Sequence, residues 1–276
     1  MALSGNLTAA IHDPTALGRD FKARLRCGEV LVGGILAEHL RPSMVKLYAQ
    51  AGFDFLYIEN EHALFDPTAL ADTISCARDN KLPTIAKTTQ LERPEISKLV
   101  CAGVVGVQLP RTESREQVLT LIDYLKYPPL GTRAGDPGWG GTDYTVPAAA
   151  AQWLESANEA MSVVAMIETK TGYLNAESII STPGVDMLYV GPYDFSISMG
   201  YPGDYDNPAV RRPMEEILEI CKANKVAFGT TASGIEAAKI WIELGTQFFQ
   251  ACDELSFIRD GATQLVSNYQ RLIGGR

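Results

Sequence analysis

The feature that most restricts what this 276-residue chain can become is a repeated alternation. A short apolar run is followed by an amphipathic stretch of helical period, and this happens eight times. The runs are EVLVGGILA (29–37), FDFLYIE (53–59), PTIAK (83–87), VVGVQLP (104–110), SVVAMIE (162–168), DMLYVG (186–191), VAFGTT (226–231) and QFFQAC (247–252). They are apolar almost throughout, as strands covered on both faces must be. The stretches between them carry helix punctuation. Pro67 and Pro94 suit first turns, Ser114 suits an N-cap, and Gly52 and Gly103 suit C-terminal stops. Strand, helix, strand in steady succession gives parallel pairing, because two consecutive parallel strands need a crossover. Eight such units at this length predict a closed (β/α)8 TIM barrel, a single domain over residues 15–276. A helix over 15–27 would cap its bottom, and residues 1–14 read as a loose tail. No GxGxxG follows the first strand and no GxxxxGK[ST] occurs, so the nucleotide-binding alternatives lack their signatures.

A formal net charge of −9 with no Lys/Arg run argues against nucleic acid or an anionic membrane as partner. It leaves anionic substrates open, since a bound cation can dominate a local field. Five widely spaced cysteines without a CxxC argue against a disulfide framework or a cysteine zinc site. The start, MALSGNLTAAIHDPT, lacks a basic segment followed by an apolar run, and no stretch is long enough to span a bilayer. These points predict a cytoplasmic protein. One segment breaks the rhythm: YPPLGTRAGDPGWGGTDYTVPAAA (127–150), with Arg133, Asp136, Trp139 and Tyr144. Its length and composition suit a lid or binding loop, or else a plain surface loop.

Active sites of such barrels lie at the C-terminal ends of the strands. The polar residues ending the runs are Glu59, Glu61 and His62; Lys87; Gln108 and Arg111; Glu168, Thr169 and Lys170; Gly191, Pro192, Tyr193 and Asp194; and Thr230 and Thr231. Glu168 and Asp194 end neighbouring strands. Two carboxylates there repel unless a cation lies between them, or unless they cap helices or pair with Lys or Arg. Oxygen donors suit Mg2+ or Mn2+, whereas zinc favours His or Cys, and the only histidines are His12, His39 and His62.

The strings AGFDFLYIENEH (51–62), KYPPLGTR (126–133), MIET (166–169) and GVDMLYVGPYDFSISMG (184–200) resemble the HpcH/HpaI aldolase/citrate lyase family, more narrowly its metal-dependent class II pyruvate aldolases. The likeness runs in order from about residue 20 to the C-terminus. It implies that Glu168 and Asp194 hold the divalent metal, Mg2+ or Mn2+. It implies that Gly191, Pro192 and Tyr193 border a pyruvate-like 2-keto acid, with N–H groups near Tyr193 and Asp194 on its carboxylate. It implies that His62 moves a proton, oriented by Glu59 or Glu61. The expected reaction is aldol cleavage or condensation between the keto acid and an aldehyde, through an enolate stabilised by the cation. Arg133 and Trp139 are expected to contact substrate from the Gly-rich loop. A homo-oligomer, hexamer or trimer, is implied as well, with the last helix and that loop as contacts.

Several positions depart from the family pattern. Lys87 stands where arginine is usual, Glu59 for aspartate, Met166 for glutamine, Cys101 for aspartate and Leu64 for proline. Lysine is a point charge without a fork, so Lys87 is not a conservative change. These departures leave other outcomes open: a different aldehyde, a decarboxylase, or a Claisen-type condensation on the same site. They also admit a Schiff-base aldolase with Lys87 as nucleophile, a CoA-thioester lyase of the citrate lyase β-subunit kind, or a barrel that binds without turnover.

Overall fold

A computed structural model describes residues 12–274. Eight strands close in sequence order: β1 (Leu31–Leu36), β2 (Phe55–Ile58), β3 (Thr84–Lys87), β4 (Gly106–Leu109), β5 (Ser162–Ile167), β6 (Met187–Val190), β7 (Ala227–Thr230) and β8 (Phe248–Asp253). Every neighbouring pair is parallel, and β8 returns to β1 with one register shift between Gly33 and Gly34. The (β/α)8 TIM barrel predicted from the alternation is the fold.

Side chains of period two separate the two cores. Leu36, Leu56, Ile58, Val107 and Leu188 face outward into the shell of helices. Phe55, Ile85, Val164, Met187 and Phe248 fill the barrel interior. The helix Ala16–Arg26 closes the N-terminal end with Phe21 and Leu25, and Phe21 meets Phe55 edge-on at 5.5 Å. Of the segment expected to be a loose tail, residues 1–11 lie outside the described residues. His12, Asp13 and Pro14 are fastened: His12 to Asp143, Asp13 to Thr15 and Arg19, and the Pro14 carbonyl to Arg78. Local punctuation behaves as expected. Ser114 and Gln117 form a capping box, and Gly103 stops its helix at φ 113°, a conformation that glycine alone adopts freely.

Two expectations are corrected here. Gln108 is not at the mouth but fully buried inside the barrel, where it donates to the Tyr57 hydroxyl at 3.0 Å and accepts from Gln250 at 2.7 Å. The Gly-rich segment is not a lid over its own barrel's mouth. It connects the helix Arg115–Leu125 to the helix Ala150–Ala160, which leads directly into β5, and such a connection lies on the N-terminal face. Gly140 packs on the Ala102 carbonyl, and Asp143 is locked by Arg78.

Candidate active site

Period two places the next inward layer, beyond Tyr57, Met166 and Tyr189, at the C-terminal mouth: Glu59, Lys87, Glu168 and Gly191. Glu168 is only 3 % exposed. Its Oε1 accepts the Arg111 backbone N–H at 2.7 Å, while Oε2 accepts no hydrogen bond from a described residue. Burial pushes its pKa up most; the Arg111 N–H and Lys87 pull it down and Asp194 and Glu61 add to the rise, leaving it at about 7. Asp194 stands exposed in the first turn of the helix Pro192–Ser198, bound to no described residue. A buried carboxylate with one free oxygen, facing a second carboxylate, calls for either a proton or a cation. An oxygen-only donor pair fits Mg2+ or Mn2+. Among the described residues neither group caps a helix or forms an ion pair, so those alternatives find no support there.

Gly191 makes this arrangement sterically possible. A Cβ there would stand 2.5 Å from the Met166 Cε and 3.0 Å from Glu168 Oε2. Pro192 follows as the helix's first residue, and Tyr193 is 60 % exposed.

Lys87 is 4 % exposed and lies between Glu61 at 2.7 Å and Glu59 at 3.0 Å. Burial lowers its pKa, but the two carboxylates outweigh that and the net direction is upward. A protonated amine has no lone pair, so the geometry disfavours the Schiff-base role. His62 is open to solvent, with Nε2 3.6 Å from Glu61. Ligand atoms of Glu59, Glu61 and His62 lie within 4.8 Å of one another. The Lys87 ammonium already supplies positive charge to that trio, which therefore suits proton movement better than a second metal.

Arg133 and Trp139 are not brought to this mouth. Arg133 stacks on Tyr127 at 4.4 Å and Trp139 bonds Asp136 at 2.7 Å, both on the N-terminal face. The expectation that they touch substrate is corrected within one chain. Cys101, at the base of its helix, shares that remote location.

Two supporting groups escaped the sequence. The Arg111 backbone, at φ 46°, turns its N–H onto Glu168. Glu254, fully buried after β8, accepts the N–H groups of Ala37, Glu38 and His39 and pins the loop after β1. The eighth strand end held a polar residue like the others, and that was the available signal.

With this geometry established, likeness to known proteins decides the family. Residues 35–259 match the HpcH/HpaI aldolase/citrate lyase family. The chain belongs to that family. It is an enzyme of the aldolase/lyase type. A hydroxypyruvate/pyruvate aldolase of Chromohalobacter salexigens is 30 % identical over 260 residues, covering 94 % of this chain and 98 % of that protein. A 5-keto-4-deoxy-D-glucarate aldolase of Escherichia fergusonii is 26 % identical over 252 residues, 91 % and 96 % of the two chains. The crystal structure of an HpcH/HpaI aldolase from Desulfitobacterium hafniense superposes with a TM-score of 0.86 at 26 % identity, covering 90 % and 96 %.

Proposed function

We propose that this protein is a divalent-metal-dependent aldolase that joins a 2-keto acid such as pyruvate to an aldehyde and cleaves the product. The observation that carries this is Glu168: buried, one oxygen free, its partner carboxylate Asp194 across the mouth. A divalent cation held by these two supplies Lewis-acid charge for an enolate. The chain's own residues do the rest. Gly191, Pro192 and Tyr193 wall the keto acid, and the first N–H groups of the helix Pro192–Ser198, unpaired as at every helix start, face its carboxylate. In cleavage, the bond between C3 and C4 of a 4-hydroxy-2-keto acid breaks and its electron pair becomes the enolate. His62, beside Glu61, takes the hydroxyl proton as the aldehyde carbonyl forms, then returns a proton to C3. Lys87, fixed by Glu59 and Glu61, offers its remaining N–H to the keto oxygen or the aldehyde.

We also propose a homo-oligomer. The helix Glu254–Gly274 buries only its first residue and leaves Ile258, Leu265, Val266, Tyr269 and Ile273 exposed at helical spacing. A largely apolar cleft beside its base is lined by Met44, Leu47, Tyr48, Phe53 and Phe257. A second copy is the occupant that supplies a matching apolar surface. No helix of the described residues is long and apolar enough to cross a membrane. The free thiols support a reducing, cytoplasmic setting.

The test is loss of the pyruvate methyl proton signal in D2O with Mg2+ and with EDTA. Exchange that needs Mg2+ supports the proposal. Exchange surviving EDTA would move the chemistry to Lys87, and none in either sample would remove pyruvate as nucleophile.

A further inference from the structure

The loop after β1, residues 37–41, is held by one side chain from the far end of the sequence. Glu254 is fully buried, and its carboxylate is answered by backbone rather than by a cation. Oε1 accepts the Glu38 N–H at 2.6 Å and the His39 N–H at 2.7 Å, and Oε2 accepts the Ala37 N–H at 2.9 Å. Successive N–H groups turned toward one point form a concave anion site, and here the anion is the chain's own. Among the described residues these three amides have no other acceptor. Strand pairing ends at Leu36, opposite Ile58, so beyond that residue the path of the backbone is fixed by Glu254. A buried carboxylate is costly without such partners. Loop and carboxylate therefore hold each other in place.

Topology says what this loop borders. It leaves the C-terminal end of β1, at the same mouth as Glu168 and Lys87. In a barrel closed in sequence order, β1 and β2 stand across from β5 and β6. The keto acid lies on the β5–β6 side, against Glu168, Asp194 and Gly191, under the aldolase reading on which this inference rests. The hydroxyl proton that His62 takes belongs to the aldehyde half of the product, and His62 follows β2. The aldehyde half is thereby placed on the β1–β2 side, where the loop after β1 forms the rim. Leu40 anchors that loop in the outer core, and the side chains of Glu38 and His39 stay exposed.

We propose that the loop after β1 is the rim of the aldehyde subsite and that Glu254 is the positioning residue that sets it. Glu254 touches no reacting atom. It acts through the Ala37, Glu38 and His39 amides, which decide where the rim stands. Its loss affects binding of the aldehyde and spares the metal and keto-acid side, which is built on other strands.

The test uses the full chain with Mg2+, pyruvate and two probe aldehydes, glycolaldehyde and glyoxylate. Glu254→Gln keeps the size of the side chain but leaves one oxygen for three donors. With the better aldehyde its KM should rise about tenfold while kcat stays within about twofold, the pattern of a displaced binding wall. Mg2+-dependent exchange of the pyruvate methyl protons in D2O should persist, and amide exchange at residues 37–39 should quicken. Glu38→Ala together with His39→Ala alters the rim without touching the Glu254 bonds, and it should raise the same KM with no change in melting temperature. A KM left unchanged in either variant would overturn the inference. So would a Glu254→Gln protein whose kcat, pyruvate exchange and melting temperature all fall together, since that is a purely structural role. A wild type that exchanges pyruvate protons but condenses with neither aldehyde would overturn the rim alone. A wild type without exchange would remove the aldolase reading and this inference with it.

Discussion

At the scale of single residues the site is an exercise in placing charge where water is scarce. Glu168 has its pKa raised to about 7 by burial and by Asp194. The folded state then holds a proton more tightly than the unfolded chain, so ionised Glu168 destabilises the metal-free protein above pH 7, and the penalty fades as pH falls toward the usual carboxylate range. Glu168→Gln in EDTA should therefore be more stable than wild type at pH 8, by a few kcal/mol, roughly the size linkage assigns to such a shift. The gap should close near pH 5 in urea titrations, and Mg2+ should stabilise wild type only. The same variant should lose Mg2+-dependent exchange of the pyruvate methyl protons. Lys87 is the opposite case, a buried cation answered by Glu59 and Glu61. Lys87→Met leaves both carboxylates without a counter-charge and should cost about 3–5 kcal/mol. Lys87→Arg, which keeps the charge, should retain most of that stability in the same unfolding assay.

At the scale of elements, strand ends and the helices after them set the geometry. Period two carries Met166 and Glu168 inward on successive layers, and the absence of a side chain at Gly191 lets the helix Pro192–Ser198 approach them. Gly191→Ala would press on the flexible Met166 methyl and on Glu168, whose other oxygen is held by the Arg111 N–H. The backbone conformation, φ −79°, tolerates alanine, so the fold should survive. The effect expected in Mn2+ titration calorimetry is a loss of affinity of about tenfold, in the range that displaced ligand support produces, with little change in melting temperature. The Gly-rich segment shows the complementary lesson. Its composition resembles a lid, yet its position after the helix Arg115–Leu125 and before the helix Ala150–Ala160 that leads into β5 assigns it to the far face, where Arg78 and Asp143 hold it.

For the whole molecule, the helix Glu254–Gly274 is the feature that a single barrel leaves unfinished. An exposed apolar stripe of that length invites association. Light scattering should give a mass of at least two chains of 30.0 kDa. Leu265→Lys together with Tyr269→Lys, both exposed in one chain, should reduce that mass without altering the far-UV circular dichroism. An unchanged mass would place the contact elsewhere on the surface.

The barrel, its single domain and the strand ends were written in the sequence, because burial on both faces forces long apolar runs and because strand–helix succession forces parallel pairing. So were Glu168, Asp194, Lys87 and His62 as candidates, since charged residues at the ends of apolar runs stand out locally. Tertiary structure alone decided which of these groups meet. That Lys87 lies between Glu59 and Glu61, that the Arg111 backbone holds Glu168, and that Glu254 ties down the loop after β1 all join residues far apart along the chain. It also decided the fate of Arg133 and Trp139, whose residue types suit a binding loop but whose end of the barrel is set by topology. A side chain's chemistry is local and legible in a string of letters. Its pKa, its partners and the free volume beside it depend on how closed packing brings distant segments together.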